Sequence, residues 1–261
     1  SLAQMPEVAP SHARAGGVTA AAAARFGLPA GVAVTVGAAD SVAGGFAMTG
    51  LATGRVSVAM GSSTVILGTV ARADRDHSAR YLVTPHVMPG LYALEMDLIA
   101  TGTGYAWLSQ LLGLNATELD AAALRSSPGA GGVRFYPYLG GGEQGVLWDP
   151  SLRGRVTGLG LGHGAAEIAR AYLEGTAFEI RRCLDVIAER QPVSDVVLTG
   201  HADLSSAMTA INDERVFRYL RKPVSRDQLQ ALLHLAVDEL ARTRRLERWA
   251  EFGRRAARAA S

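Results

Sequence analysis

Apolar and polar positions alternate with two different periods along the chain, and glycine marks most of the places where one gives way to the other. Residues 18–27 (VTAAAAARFG) predict a short helix closed by Gly27. Val32, Val34 and Val36 then alternate with small residues, as in a strand. After Gly37 and Asp40 a small-residue helix (SVAGGFAM) runs to near Gly50. A hairpin follows from Gly54, with Val56 and Val58 on one arm, Gly61-Ser62-Ser63 as the turn, and Val65, Ile66 and Leu67 on the other arm. A third strand spans 92–99, and TGTG at 101–104 leads into the helix YAWLSQLLG. Residues 115–132 predict a short helix and a loop, and 135–145 (FYPYLGGGEQG) is too rich in glycine for a helix interior.

The clearest helix covers 165–189, where Leu173, Ala177, Ile180, Leu184 and Ile187 mark one apolar face and Pro192 stops the chain. DVVLTG at 195–200 reads as a buried strand. A helix at 203–213, a strand at 216–220, Lys222-Pro223 and a helix at 225–249 complete the pattern. In that last helix Leu229, Leu233, Ala236 and Leu240 share a face. Strand, glycine turn and helix in repeated succession indicate an α/β fold, in which ligands sit at strand ends.

Composition narrows the function. The 261 residues carry a net charge of +2, so no strong overall field draws the chain to nucleic acid or a membrane. Charge is uneven, however: residues 200–261 hold 12 basic and 8 acidic side chains, whereas residues 1–199 hold 14 and 16, a step of the kind that marks a boundary. The Arg-rich end lacks interleaved aromatic residues, which argues against a nucleic-acid role and for a solvated helix face. Cys183 is the one cysteine, so no internal disulfide framework exists, and a cytoplasmic location is expected. The start is broken by Pro6, Pro10 and His12 and does not read as a signal peptide, and no apolar run of about 18 residues is present.

Several positions are candidates for chemistry. Asp40, between a valine strand and a helix, reads either as a helix cap or as a general base that takes a proton from an alcohol. Gly61, Ser62 and Ser63 make either a plain turn or one whose N–H and hydroxyl donors hold a phosphate. Gly102 lies where a nucleotide can approach the start of a helix. The loop with Glu143, Trp148 and Asp149 borders a cleft or is simply surface. His163 has no partner at metal-ligand spacing, and no metal site is assigned. Lys222 is the single lysine and precedes proline, so a Walker-type phosphate loop is absent.

Four ordered stretches, 25–68, 85–113, 135–163 and 169–189, carry a resemblance that covers about residues 1–199: they are similar to the FGGY-family carbohydrate kinases, nearest to xylulokinase-like members. The resemblance implies an actin-like (ribonuclease H-like) fold of two lobes around a cleft. It also implies transfer of the ATP γ-phosphoryl group to a sugar or polyol hydroxyl, with Mg²⁺. By position, Asp40 matches the family's catalytic base, Gly61 and Ser62 (with Ser63) its phosphate turn, and Gly102 a glycine lining the nucleotide site. Glu143 falls in the family's Gly-Glu-Arg loop, with Gln144 in place of the arginine.

On this reading residues 1–53 end the first lobe and 54–199 form an incomplete second lobe. From about 195 to 245 the sequence resembles instead the last third of a response-regulator receiver domain, with Thr199 and Lys222-Pro223 in its conserved places. That makes 200–249 a receiver-like βαβα segment able to continue the kinase sheet, and 250–261 a basic tail. A kinase that is partial or inactive as this chain alone is expected, with a complementing first lobe or a second copy as partner. The alternative is a non-enzymatic signalling or scaffold module built on the receiver-like segment.

Overall fold

A computed structural model describes residues 6–199 and 225–259. The described residues fall into two compact units, one made from the stretch up to Val36 with the helix after 225, the other from Gly37 onward.

In the first unit, β1 (Arg14–Gly17) pairs antiparallel with β2 (Ala33–Thr35). Between them lies α1 (Ala20–Phe26), as the alanine run predicts. Thr19 Oγ1 accepts the Ala22 N–H at its start, and Gly27 closes it at φ 67°, a left-handed conformation that favours glycine. The closing helix of the chain, which we call α6 (Arg226–Ala259), begins with Ser225 Oγ accepting the Gln228 N–H. His234 Nε2 of α6 lies 3.1 Å from the Phe26 carbonyl. The helix runs ten residues past the expected end at 249, because Ala and Arg are strong helix formers. The expected helix at 203–213, the strand at 216–220 and Lys222-Pro223 lie outside the described residues.

The second unit is built on a five-stranded sheet in the order β5-β6-β4-β3-β9. Its members are β3 (Arg55–Met60), β4 (Thr64–Val70), β5 (Leu82–Pro85), β6 (Tyr92–Leu98) and β9 (Asp195–Thr199). The first four pair antiparallel, and β9 joins β3 in parallel, Val58 opposite Leu198. Between β6 and β9 come α3 (Thr101–Leu111), α4 (Ala116–Arg125), the small ribbon of β7 (Arg134–Tyr136) with β8 (Arg155–Thr157), and α5 (Ala165–Ala188). One core lies between the sheet and α5, with Val56, Val58, Ile66, Leu94, Met96, Cys183 and Ile187 buried. A second joins α3, α4, α5 and β7 around Leu108, Leu119, Phe135 and Tyr172.

Three sequence expectations change. The buried face of α5 is Ala169, Tyr172, Thr176, Glu179, Cys183 and Ile187, while Leu173 is 41% exposed. Hydrophobicity alone selects the neighbouring stripe because the buried one contains Thr176 and Glu179, and Glu179 finds partners in Tyr138 and Arg182. DVVLTG is not a buried strand: β9 is an outer strand among the described residues, with Val196 40% and Leu198 58% exposed. The TGTG segment is not a turn ahead of α3 but its first turn.

The helix α2 (Asp40–Thr49) lies against β3 and β4. The approach is close at Gly45, where a Cβ would come 2.8 Å from Leu67 Cδ1 and 3.0 Å from Ser57 Oγ. Residues 50–54 connect α2 directly to β3.

Candidate functional site

Connectivity gathers Gly61, Ser62, Ser63 and Gly102 at one end of the sheet. β3 ends at Met60 and β4 begins at Thr64, directly opposite, so Gly61-Ser62-Ser63 is a tight turn at that end. Thr64 also pairs with Leu98, so β6 finishes there and α3 starts three residues later. Ala59 pairs with Thr199, so β9 ends there too. Asp40 is the first residue of α2, the helix that immediately precedes β3. The carboxyl ends of β3, β6 and β9 therefore share an end of the sheet with the start of α3, the usual place for a ligand in an α/β sheet.

Ala39 occupies the cap position of α2 and makes no side-chain cap bond; Asp40 is the first helical residue, exposed, where a carboxylate is favoured by the helix dipole. The reading of Asp40 as the cap itself is corrected accordingly. Ser62 and Ser63 are exposed at the tip of the hairpin, closed by the Gly61 N–H donating to the Ser63 carbonyl at 2.7 Å.

The turn is seated on α3. The Gly102 N–H donates to the Gly61 carbonyl (3.0 Å) and the Thr103 N–H to the Ser62 carbonyl (3.1 Å). Gly102 is required by this approach: a Cβ there would stand 2.2 Å from the Gly61 oxygen. The structure thus brings Gly102 together with Gly61 and Ser62, and its N–H is engaged by the turn. Beneath them the hydroxyls of Thr64 and Thr101, both buried, share a hydrogen bond of 2.8 Å. The Tyr172 hydroxyl donates to the Thr101 carbonyl at 2.6 Å. Sequence reasoning includes Thr64 and Thr101 only as flanks of the two glycine segments, without a role, and misses Tyr172. The one signal for them is a Thr at each side of the glycine positions, which is too common to single out.

Beside the start of α3 lies a small cleft lined by Ile99, Ala100, Thr101, Tyr138, Glu143 and Glu179, among others. Glu143 is buried and organises its own loop: its carboxylate accepts N–H bonds from Val146 (2.7 Å), Leu147 and Trp148 (2.9 Å). Glu179 accepts from Tyr138 Oη (3.0 Å) and from Arg182 (2.9 Å). Burial and the neighbouring Glu179 carboxylate push the Tyr138 hydroxyl up to about 12. Burial pushes the Cys183 thiol up to about 12 as well, so it is no nucleophile at neutral pH. Asp97, on β6, is raised to about 6 by burial and by Glu95. His163 Nδ1 accepts the Gly160 N–H (2.9 Å) and holds its own loop.

Among the described residues no group of three or more His, Cys, Asp or Glu side chains is placed to hold a metal ion. Mg²⁺ that arrives on nucleotide phosphates needs only one or two protein carboxylates, because it keeps most of its water. No described helix is long and apolar enough to cross a membrane.

Comparison with known proteins agrees with this architecture. Residues 56–204 match the C-terminal domain of the FGGY family of carbohydrate kinases. Glycerol kinase from Gloeobacter violaceus is 34% identical over 167 residues, 63% of this chain and 30% of that protein. Xylulose kinase from Staphylococcus epidermidis is 29% identical over 177 residues, 67% of this chain and 36% of that one. The chain therefore spans about a third of the length of these relatives. The crystal structure of xylulose kinase from Rhodospirillum rubrum superposes with a TM-score of 0.61 at 34% identity, covering 72% of this chain and 38% of that one. The ligand-bound xylulose kinase from Lactobacillus acidophilus, at 22% identity, gives a TM-score of 0.68 and speaks for the fold alone. The resemblance of residues 195–245 to a receiver domain is not supported by the family match, which runs as a kinase domain to residue 204. With a family match over more than half its residues and a sheet of the same actin-like kind, the chain belongs to the FGGY family of carbohydrate kinases.

Proposed function

We propose that the chain contributes the phosphate-holding end and the base of an ATP-dependent kinase acting on a hydroxyl of a sugar or polyol. The observation that carries this is the seating of the Gly61–Ser63 turn on the start of α3 at the carboxyl ends of β3 and β6; Asp40 enters by its match to the family's base. In the reaction the acceptor O–H gives its proton to the Asp40 carboxylate as the oxygen attacks the γ-phosphorus. The bond from that phosphorus to the β–γ bridging oxygen breaks, and ADP leaves with Mg²⁺. Ser62 and Ser63 offer the exposed donors for the phosphates. Gly102 serves by letting the turn sit close, and Mg–ATP is the second substrate.

The names of the relatives support xylulose, glycerol and gluconate as the acceptors to try first. The full chain is titrated with Mg–ATP by calorimetry and assayed with those three compounds. Nucleotide affinity in the high micromolar to millimolar range is expected, on the order of −4 to −5 kcal/mol. Asp40→Asn should leave that affinity intact and lower any turnover about 10²–10⁴-fold, the weight of general-base catalysis. Turnover unaffected by Asp40→Asn removes the base role. Absence of nucleotide binding sinks the kinase reading and leaves the signalling or scaffold alternative, whose receiver-like segment lies mostly outside the described residues.

A further inference from the structure

The N-terminal N–H groups of a helix next to a phosphate turn are expected to meet the phosphate directly. Here two of them do not. Those of Gly102 and Thr103 are occupied by the carbonyls of Gly61 and Ser62, at 3.0 and 3.1 Å. The helix start holds the turn, and the turn is left to hold the ligand.

What fixes the helix start in turn is a set of neutral buried hydroxyls. Thr64 is fully buried and Thr101 is 5% exposed, and their side chains bond each other at 2.8 Å across 37 residues of sequence. The backbone carbonyl of the same Thr101 accepts from Tyr172 Oη at 2.6 Å, with the Ala100 carbonyl also in reach at 3.0 Å. Tyr172 is 1% exposed, and its ring packs edge-on against Phe135 at 5.0 Å in the second core. The two bonds grip Thr101 from both sides, one through its side chain to the first residue of β4 and one through its backbone to α5. The Gly61–Ser63 turn precedes Thr64 immediately, so its height over α3 is set by that pair.

We propose that Thr64, Thr101 and Tyr172 are positioning residues that latch the Gly61–Ser63 turn onto α3 and so set the donors of Ser62 and Ser63 for a polyphosphate. The consequence for nucleotide selection rests on the kinase reading above; the latch itself does not. None of the three touches the ligand. Each acts through the turn, and none carries a formal charge at neutral pH, so the latch adds no counter-ion beneath the phosphates. Burial pushes the Tyr172 hydroxyl up to about 12, which keeps it a donor across the working range.

Two readouts on the full chain separate the latch from the reading it rests on. The first is hydrogen exchange at the Gly102 and Thr103 amides. Thr101→Val keeps the shape and removes the hydroxyl, and should speed both amides roughly 10-fold, the weight of one buried hydrogen bond lost. Thr101→Ser should restore them. The second is affinity for Mg–ATP against adenosine. In Thr101→Val the ATP affinity should fall roughly 10-fold with adenosine unchanged, because only the polyphosphate meets the turn. Tyr172→Phe should move both readouts the same way and serves if Thr101→Val folds poorly.

Unchanged exchange in both variants overturns the latch. Faster exchange with equal loss of ATP and adenosine overturns the positioning role, since a merely structural defect would affect the whole site. If the wild-type chain binds no nucleotide, the kinase reading fails, and the exchange measurement alone decides the latch.

Discussion

The two ends of the five-stranded sheet are held by different chemistry. At the end that carries the candidate site, the contacts seating the turn are backbone hydrogen bonds, a pair of threonine hydroxyls and a tyrosine. At the opposite end the loop after β4 is tied to the close of α5 by charge. Asp76, with its side chain 3% exposed, accepts from the Arg80 backbone N–H and guanidinium and from Arg190 Nη2 at 2.6 Å. Arg80 also pairs with Glu189 at 2.7 Å, and the Arg190 guanidinium lies 5.7 Å from the centre of the Tyr81 ring. Neutral hydroxyls directly beneath a turn that holds a polyanion add no repulsion and need no counter-ion, while the carboxylates nearby, Glu143 and Glu179 in the cleft beside α3, are tied to their own N–H and arginine partners. Both the neutral seating at one end and the ion network at the other keep their buried polar groups paired.

The largest effect should come from breaking the charged end. Asp76→Asn leaves two arginines facing a neutral amide, and removing one member of a buried ion pair costs about 3–5 kcal/mol. Partial exposure of Arg80 and Arg190 brings the expectation to about 3 kcal/mol, read as a fall in the urea midpoint of the full chain. The arginines hold the Asp76 carboxyl well below the usual carboxylate range. Its folded value is depressed, so the stability it adds is present above the unfolded value near pH 4 and is lost as pH falls below it. Wild type should therefore lose stability more steeply than Asp76→Asn on acidification below about pH 4. Equal slopes would mean that the network stabilises nothing. Nucleotide affinity should not change, because the network is at the far end of the sheet.

Breaking the neutral end should cost less stability and more binding. Gly102→Ala sets a methyl group 2.2 Å from a backbone oxygen, which no side-chain rotation relieves. Overpacking of this kind costs about 1–3 kcal/mol, and the turn must lift from α3 to accommodate it. A midpoint shift of about 2 kcal/mol together with loss of ATP binding is expected. A variant that keeps wild-type ATP affinity would show that the height of the turn is irrelevant to the ligand.

The two ends also differ in how far the sequence reveals them. The hairpin with its Gly-Ser-Ser turn, the strand at 92–98 and the helices α1, α2 and α5 are legible because local period, glycine and caps agree with the fold. Asp40 and the turn residues are singled out by their place between a strand and a helix and by the family resemblance. The latch is invisible because it joins Thr64 to Thr101 and Thr101 to Tyr172, and no local pattern encodes a contact across 37 or 71 residues. The ion network fails the same test: Arg80 and Glu189 are 109 residues apart, and each alone looks like a solvated charge. The strands β1 and β5 escape notice for another reason. One is RAGG and the other ends in proline, and pairing rather than propensity makes them strands.

The smallest expected effect concerns Asp97, where the neutral end meets a carboxylate it does not pair. Asp97 lies on β6 one residue before Leu98, and its backbone N–H donates to the Gln144 carbonyl at 3.3 Å. Burial and the like charge of Glu95 raise its carboxyl to about 6. A raised acid binds its proton more tightly folded than unfolded. The folded chain therefore gains stability as pH falls from about 6 toward 4, and at pH 7 the charged form is a liability. Asp97→Asn removes the charge and should stabilise the chain at pH 7 by about 1 kcal/mol once solvent screening is allowed for. His86 works in the opposite sense in a neighbouring window. It is buried, Nδ1 accepts the Met88 N–H at 3.2 Å, and burial lowers its value from 6.5, so protonation of the unfolded chain erodes stability as pH falls below that. The two trends overlap in wild type, and the measurement that isolates Asp97 is the difference between wild type and Asp97→Asn at each pH. The advantage of the variant should be greatest above pH 7 and shrink toward zero near pH 4. An advantage that stays constant with pH would assign the gain to packing and not to charge, and would leave the site end of the sheet with no carboxylate working against the fold.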